Sequence, residues 1–232
     1  KLSFRVNPSE MKDYSQTEKK INIDNIFSNN RLGIIDSIES GKSLTLGFDY
    51  KKESLEDINK FFEFKLATLI RYDEERNIPI SSTLGKKNSN IYGSISNNLF
   101  ENISFNYKFS IDNDLNTFQH NELDTKLSLN NFVTEFNFLK ENGDIGNSNI
   151  LGNKTQFTID ENNSITFSTR RNRKLNLTEY YDLVYEYKND CLVAGIKYKK
   201  SYYEDRDLKP SENLFFTITL FPLTTFEQKI NQ

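Results

Sequence analysis

The sequence has no long apolar run and few of the residues that interrupt or crosslink a chain. Its 232 residues include no Trp, one Met, one Cys, four Pro and nine Gly. No stretch approaches the ~20 apolar residues that a transmembrane helix requires. With 27% charged residues, the chain is too polar for a helical membrane protein. The scarcity of Pro and Gly permits long uninterrupted elements, because these residues most often end a helix or a strand.

Cysteine content excludes an internal disulfide, and the distribution of charge excludes one further class of protein. The single cysteine, Cys191, cannot form a disulfide within this sequence and gives little information about the cellular compartment. The formal net charge is −3. Basic residues are dispersed, apart from one cluster at Arg170, Arg171, Arg173 and Lys174. This distribution excludes the basic footprint of a nucleic-acid-binding domain.

The apolar content that is present is aromatic, with 19 Phe and 12 Tyr. Aromatic side chains favour strands, where a flat ring packs well on a pleated surface. The clearest strand signal is segment 103–111, in which apolar residues at odd positions alternate with polar residues at even positions. Successive side chains of a strand point to opposite faces, so this segment has one apolar and one polar face.

The same alternation recurs along the chain. It is strong in 43–51, 62–70, 132–138, 181–187, 192–199 and 214–220, and weaker in 88–96, 117–129, 150–159 and 164–171. With an opening segment at 2–6, the pattern predicts about twelve strands, many of the length that crosses a bilayer when tilted. The apolar faces of the strong strands carry no charged residue at the alternating positions, as contact with lipid requires.

The connections alternate between tight turns and longer links. The tight turns are polar and lie at 130–131, 160–163 and 189–190, and the longer links are 8–40, 72–87, 142–149 and 202–211. If 212–221 is the final strand and ends in the periplasm, every long link is external, as in outer-membrane barrels. Residues 222–232 would then be a periplasmic tail.

We therefore predict an all-β fold, an antiparallel up-and-down transmembrane β-barrel of which residues 1–232 form the C-terminal part. The sequence starts inside an apolar alternation, without Met or a signal peptide, so we expect a fragment of a longer protein. A soluble β-sandwich would show the same alternation. The strand lengths and the Tyr residues near strand ends, such as Tyr181 and Tyr187, favour the barrel.

His120 is the only histidine and the only candidate for a general base. Its position in the alternation places it opposite Leu123, Leu127 and Leu129, on the polar face. A hydrolase would need a nucleophile and an orienting group beside it, and the sequence indicates neither. We interpret His120 as a polar residue of the lumen, and predict no catalytic residue, no metal site and no cofactor. A porin-like passive channel and a barrel hydrolase remain alternative functions.

The arginine cluster and the cysteine each have two interpretations. Arg170, Arg171 and Arg173 lie at a predicted external strand end, where guanidinium groups could bind phosphate or simply form a solvated basic rim. Cys191 follows a tight turn, where it could be a small packed residue. It could also pair with a cysteine elsewhere in a longer chain, because the periplasm is oxidising.

Several segments resemble one known family. They are NIFSNNR at 25–31, DSIESG at 36–41, YYDLVYEYKNDCL at 180–192, YYEDRDLKPSE at 202–212 and FFTITL at 215–220. Together, in this order, they resemble the lipopolysaccharide-assembly outer-membrane protein LptD, also called organic solvent tolerance protein. These segments are similar to those of alphaproteobacterial members of the family.

The resemblance implies a translocon in the outer membrane of a Gram-negative bacterium, which inserts lipopolysaccharide into the outer leaflet. Its implied partners are lipopolysaccharide, the plug lipoprotein LptE, the surrounding outer-membrane lipid and the periplasmic lipopolysaccharide-transport bridge. The bridge would be reached through an N-terminal domain that lies upstream of this sequence. The family is not enzymatic, and no nucleic acid is involved.

The resemblance also implies roles for particular residues. The last strand would form one side of a lateral exit seam, with Leu214, Phe216, Ile218 and Leu220 on it. Cys191 matches a barrel cysteine that forms a disulfide with the N-terminal domain, and the arginine cluster would contact lipopolysaccharide phosphates. The external-loop motif residues are Asn30, Arg31, Asp36, Glu39, Gly41, Arg206, Asp207 and Pro210. The alternative for the loop residues is ordinary loop chemistry.

Overall fold

The computed structural model describes residues 1–202, 210–220 and 224–230. These residues form thirteen strands in a single sheet whose order follows the chain from β1 to β13. The strands are β1 Leu2–Asn7, β2 Gly41–Glu53, β3 Phe61–Arg71, β4 Ile91–Asn97, β5 Ile103–Ile111, β6 Phe118–Leu129, β7 Phe132–Glu141, β8 Asn149–Thr158, β9 Asn163–Asn172, β10 Leu177–Lys188, β11 Leu192–Ser201, β12 Ser211–Leu220 and β13 Thr224–Ile230. The prediction of an all-β, antiparallel, up-and-down barrel fold is confirmed.

Two details of the prediction are corrected. The strand predicted as the last, 212–221, is observed as β12, and the segment predicted as a tail contains a further strand, β13. β13 pairs with β12 in antiparallel register from Leu214 opposite Ile230 to Leu220 opposite Thr224. The weak alternation at 88–96 yields a strand only from Ile91, because residues 72–90 fold into a compact connection.

The described helices are two single turns of 3₁₀ helix, Ile80–Ser82 and Gly143–Ile145. No helix in the described part of the chain is long and apolar enough to span a bilayer. By the density of its contacts the chain divides into two units. Unit 1 consists of residues 1–100, 104–123 and 139–148, and unit 2 of residues 101–103, 124–138 and 149 onward.

The strand registers put the apolar side chains of neighbouring strands on one face, here called the apolar face. In unit 1, Phe4 on β1 lies opposite Leu44 on β2, which lies opposite Ile70 on β3. These side chains are open to the surroundings, as is Phe48, which is 56% exposed. A β-sandwich would bury this face against a second sheet. The sandwich alternative is therefore wrong, and the face is suited to lipid.

The opposite, polar face of β3 and β4 in unit 1 is covered by the loop 8–40. The loop contributes buried apolar side chains to a core with the sheet and with residues 72–90. Its members are Met11, Ile21, Ile23, Ile26, Leu32, Ala67, Leu69, Ile78, Leu84 and Tyr92. Tyr92 is enclosed, and its hydroxyl donates to the carbonyl of Ser82 at 2.7 Å. A segment predicted as an external loop thus folds back onto the sheet.

We expect the two faces to differ sharply in their tolerance of charge, and adjacent residues of β9 in unit 2 provide the comparison. Phe167→Arg places a cation on the apolar face in mid-strand, and should lower the free energy of unfolding by about 2–4 kcal/mol. Thr166→Arg, on the polar face, should cost less than about 1 kcal/mol, because substitutions there remain hydrated. Urea unfolding of the complete protein in phosphatidylcholine vesicles measures both, and equal losses would contradict the assignment of the faces.

Candidate functional site

The polar face of β2 and β3 carries a buried ion cluster centred on Glu39, next to the point where the loop 8–40 joins β2. Arg31 Nε donates to Glu39 Oε2 at 2.7 Å, and its Nη2 donates to Oε1. Arg71 Nη2 donates to the same Oε1. Both arginine side chains are 0% exposed and that of Glu39 is 8% exposed. One carboxylate therefore bridges two enclosed guanidinium groups and balances the charge of one of them.

Both arginines donate to further acceptors. Arg31 reaches side chains of β2 and a loop carbonyl, and Arg71 reaches two carbonyls that flank the core. The acceptors are Thr45 Oγ1 at 2.9 Å, Ser43 Oγ at 3.2 Å and Ile26 O at 3.3 Å for Arg31, and Leu84 O at 2.6 Å and Ser40 O at 2.8 Å for Arg71. Hydrogen bonds to every nitrogen of both guanidinium groups help to make the burial of two cations tolerable.

Local sequence explains how the loop reaches the cluster. Arg71 is the last residue of β3 and shares a face with Leu69 and Ala67, so its side chain points into the core. Gly41 starts β2 with a φ of +84°, in the region that favours glycine. A Cβ atom on Gly41 would lie 3.2 Å from Arg71 Nη1. The glycine thus allows the close approach of the loop to the arginine.

A third arginine extends the cluster to β1. Arg5 Nη1 lies 3.9 Å from Glu39 Oε2 and donates to Asn29 O at 2.9 Å, while its Nη2 donates to Ser28 O. Glu39 is thus surrounded by arginines of β1, of the loop and of β3. The cluster fastens the loop to three adjacent strands, which makes it a structural latch for the polar face.

Removing the carboxylate should release the loop. We expect Glu39→Gln to lower the free energy of unfolding by about 3–5 kcal/mol, because two enclosed guanidinium groups lose their counter-ion. The matched control is Glu53→Gln, since Glu53 pairs with Lys51 where both side chains are 45% exposed. The control should cost at most about 1 kcal/mol. Denaturant unfolding, together with trypsin cleavage at Lys12, Lys19 and Lys20 of the loop, provides the measurement.

The beginning of the loop is fastened to its end by contacts with Asp36. Lys12 Nζ donates to Asp36 Oδ2 at 2.7 Å, and the hydroxyl of Tyr14 donates to Oδ1. These hydrogen bonds, that from Lys12 first, lower the pKa of the Asp36 carboxyl from its ordinary value of 3.8 to about 2. Because the pKa is depressed in the folded state, the contact stabilises the loop fully above pH 3.8 and is lost as the pH falls through about 2.

Acid should therefore loosen this end of the loop in a way that depends on Asp36. Between pH 3.8 and about 2 we expect pepsin cleavage near Lys12 to rise in the natural sequence. In Asp36→Asn the amide offers one acceptor oxygen in place of two and no charge for Lys12 at any pH, so cleavage should be faster at the upper end of the range and should change less with pH. Identical pH profiles for the two chains would contradict the role of this carboxyl.

A second polar cluster joins the loop to β6 and β7. Lys20 Nζ of the loop lies 2.6 Å from Glu141 Oε1, and His120 Nδ1 lies 3.3 Å from the same oxygen. His120 Nε2 is 3.5 Å from Glu122 Oε2. Both ring nitrogens thus face carboxylates, which is the arrangement of a polar anchor and not of a base beside a nucleophile. No group of three or more potential metal ligands occurs among the described residues.

The other predicted loop residues are placed as follows. Asn30 Nδ2 donates to Ile34 O at 2.9 Å and so shapes a turn within the loop. Pro210 is exposed at the start of β12. Arg206 and Asp207 lie outside the described residues. Of the motif residues, the structure therefore brings Arg31, Glu39 and Gly41 together and leaves Asp36 and Asn30 apart from them.

The arginine cluster does not form one surface. Arg170 pairs with Glu179 at 2.8 Å, and Arg171 Nη2 donates to Asn176 Oδ1 at 2.6 Å. The two arginines are adjacent in β9 and so point to opposite faces. Arg173 is exposed in the turn that follows the strand. Phosphate binding by the three residues as a group stays a prediction, which this arrangement does not favour.

Cys191 is an exposed free cysteine in the turn between β10 and β11. Its amide donates to Asn189 Oδ1 at 3.0 Å, in a turn that keeps the thiol accessible. The predicted seam residues Leu214, Phe216, Ile218 and Leu220 share the apolar face of β12 and lie opposite residues of β11 on one side and β13 on the other. β12 is therefore flanked on both sides.

Sequence reasoning missed several residues that hold the loop in place: Arg5, Lys12, Tyr14, Lys20, Arg71 and Glu141. Arg71 had a usable signal, because it continues the polar face of β3 at the strand end. Lys20 and Glu141 had none, since nothing in the local sequence distinguishes them from solvated charges. The burial of Arg31 and Glu39 was likewise not predicted, and ordinary loop chemistry does not describe them.

With this geometry established, comparison with known proteins is informative. A family model described as LptD, LPS transport system D, matches residues 9–159, more than half of the chain. The chain belongs to the LptD family. The matched range includes the loop 8–40 with its Glu39 latch and runs to the end of β8. The family is one of lipopolysaccharide transport at the outer membrane and is not an enzyme family.

Solved structures similar to this LptD-family chain include porins of low identity. A double mutant of Rh. blastica porin has 9% identity and a TM-score of 0.42, covering 84% of this chain and 85% of that one. A triple mutant of Rhodopseudomonas blastica porin has 8% identity and a TM-score of 0.43, covering 86% and 88%. A comparison with curated protein sequences returned no match. The family assignment rests on the LptD model alone.

The LptD match and the resemblance seen in the sequence cover different parts of the chain. The match includes the loop segments 25–31 and 36–41, and also strands β3 to β8, where only the alternation pattern pointed to the family. It does not extend to 180–192 or 202–220. The roles of Cys191 and of β12 therefore remain predictions.

Proposed function

We propose that this LptD-family chain works as a translocon that inserts lipopolysaccharide into the outer leaflet of the outer membrane. In the proposal, the polar head group moves along the polar face of the C-terminal strands while the acyl chains stay in lipid at a lateral seam. The observation that carries the proposal is the LptD match over the latched loop 8–40 and strands β2 to β8. An amphipathic substrate needs a polar route beside an apolar one, and each strand here offers both.

The two units differ in how their polar faces are occupied. In unit 1 the loop 8–40 fills the space over β3 and β4 with an apolar core. In unit 2 the polar face of β10 to β13 borders a cavity of about 270 Å³ that is lined by Lys197, Lys199 and Glu227, among others. Lys197 pairs with Asp182 at 3.3 Å and remains 40% exposed. Mixed, accessible charges of this kind suit a phosphorylated sugar better than an apolar solute.

β12 pairs with β13 over fewer residues than with β11, which supports a seam at this end of the sheet, and the pairs β1–β2 and β3–β4 are shorter still. β11 and β12 are in register over ten residue pairs, from Leu192 opposite Leu220 to Ser201 opposite Ser211. β12 and β13 are in register over seven pairs. Fewer ladder bonds lower the cost of separating the strands. The seam predicted at β12 is accordingly proposed to involve β13 as well, with Leu214, Phe216, Ile218 and Leu220 facing the acyl chains.

The proposal includes partners that the family implies. The plug lipoprotein LptE would occupy the polar face, and the periplasmic bridge would deliver lipopolysaccharide through the N-terminal domain. Cys191 would form its disulfide with that domain, and its exposure in a turn makes the thiol available. The external motif residues would retain the loop by the contacts described for Arg31, Glu39 and Asp36.

Locking the seam should stop transport without unfolding the barrel. In the complete protein with Cys191 retained, a cysteine pair placed on β13 and on the strand that adjoins it in the closed barrel should, once oxidised, abolish the arrival of new lipopolysaccharide at the cell surface. Surface labelling of newly made lipopolysaccharide measures this, and reduction should restore it.

The control lock joins two interior strands in the same background. Lys188→Cys and Val193→Cys lie opposite each other on β10 and β11, so their disulfide leaves the seam free. Transport should continue at the normal rate in this variant. Unimpaired transport through the locked β13 would overturn the lateral seam, while loss of transport in both variants would show that crosslinking itself is the cause.

A further inference from the structure

We propose that unit 1 has a binding site for a phosphorylated lipid on its apolar face. The site lies where the N-terminal end of β2 is flanked by the C-terminal ends of β1 and β3. The site is a groove of about 610 Å³ with an apolar floor and a basic, aromatic rim. Two residues of the Glu39 cluster, Ser43 and Arg71, also line the groove, but their side chains donate or accept hydrogen bonds within the cluster on the opposite face of the sheet. Only the supply of lipopolysaccharide to it rests on the proposed function.

The floor of the groove is one row of side chains across three strands. Phe4 lies opposite Leu44, and Leu44 lies opposite Ile70. Phe4 is 68% and Ile70 41% exposed, so the row is open to the surroundings. Apolar side chains in this position, on the face that contacts hydrocarbon, are suited to an acyl chain.

The rim is formed by the next residues on the same face of β2 and beyond the end of β3. Lys42 precedes Leu44 on the same face of β2, and Tyr72 follows Ile70 at the end of β3. Tyr72 N donates to Lys42 O at 3.1 Å, which fixes the two residues side by side. Lys42 Nζ lies 5.6 Å from the centroid of the Tyr72 ring, and this ring is 73% exposed. A tyrosine just beyond an apolar row marks the level of the lipid head groups.

A second lysine completes the rim. Lys87 lines the same groove, and its carbonyl accepts a hydrogen bond from Arg71 N at 2.7 Å, which places it beside the end of β3. Asp73 is the one carboxylate in the groove, and the Arg71 guanidinium points away into the core. Two lysines against one aspartate leave a net positive charge where a head-group phosphate would sit.

The occupant is therefore a phosphorylated lipid of the surrounding leaflet. A soluble anion would use the lysines but not the row of Phe4, Leu44 and Ile70. A neutral lipid would use the row but not the lysines. Only a molecule that carries an acyl chain next to a phosphate uses both the apolar floor and the basic rim of the groove.

The experiment uses the complete protein in phosphatidylcholine nanodiscs that contain lipid A. Native mass spectrometry measures how much lipid A the protein retains as its amount is varied. We expect Lys42→Gln with Lys87→Gln to weaken retention by about fivefold for each lysine, which corresponds to ~1 kcal/mol per basic residue at a membrane surface. Circular dichroism and heat-dependent gel mobility verify that the variant is folded.

The matched control is Lys52→Gln. Lys52 lies on the same strand and the same face as Lys42, at the opposite end of β2, opposite Phe62. Retention of lipid A should be unchanged in this variant. An equal loss in the control, or full retention in the double variant, would overturn the proposed site.

Added inorganic phosphate separates the two possible sources of the anion. Retention of lipid A that persists in excess phosphate supports a lipid site, whereas displacement by phosphate alone would show an anion site only and overturn the proposal. The readout does not involve transport. If the complete protein retains lipid A through its lysines but does not transport lipopolysaccharide, the translocon is overturned and this site is not. If it transports lipopolysaccharide but its retention of lipid A does not depend on the lysines, only this site is overturned.

Discussion

Backbone amides and carbonyls in hydrocarbon have no water to bond with, so each strand must be completed by its neighbours. The order of the sheet meets this requirement with the shortest connections, since every described strand pairs with the strands adjacent to it in the chain. The division into an apolar and a polar face then follows from the pleat, and so does the exclusion of charge from the apolar face. Among the described strands, only β1 and β13 have a single neighbour.

The same scarcity of water explains the chemistry of the polar face. Arg31 and Arg71 are enclosed, and an unpaired buried cation would cost several kcal/mol. Glu39 offsets part of that cost, and Thr45, Ser43 and three carbonyls accept hydrogen bonds from other N–H groups of the two arginines. Such a cluster adds little net stability over apolar packing, but it accepts only one arrangement of the loop. The apolar core beneath the loop supplies the stabilisation, and the cluster selects the position.

The sequence predicts the strands well because alternation is local: each of the segments 43–51, 103–111 and 214–220 shows its two faces without reference to any other part. β13 was missed because its seven residues include three charged or amide side chains and follow a Phe-Pro-Leu segment. The folding of the loop 8–40 onto the sheet was missed for a different reason. Its contacts, such as Arg31 with Thr45 or Lys20 with Glu141, join residues whose proximity exists only after the strands have paired. The separation of Arg170 from Arg171 was, in contrast, already implied by their adjacency in a strand.

The contact between Lys20 and Glu141 spans 121 positions of the chain. Glu141 lies on β7, so this anchor requires β7 to be in place, whereas the Glu39 cluster involves only the loop and β1 to β3. Closing so long a segment is slow compared with forming a hairpin. The loop therefore has one anchor that the first three strands complete, and a second, 121 positions along the chain, that only the seventh strand completes.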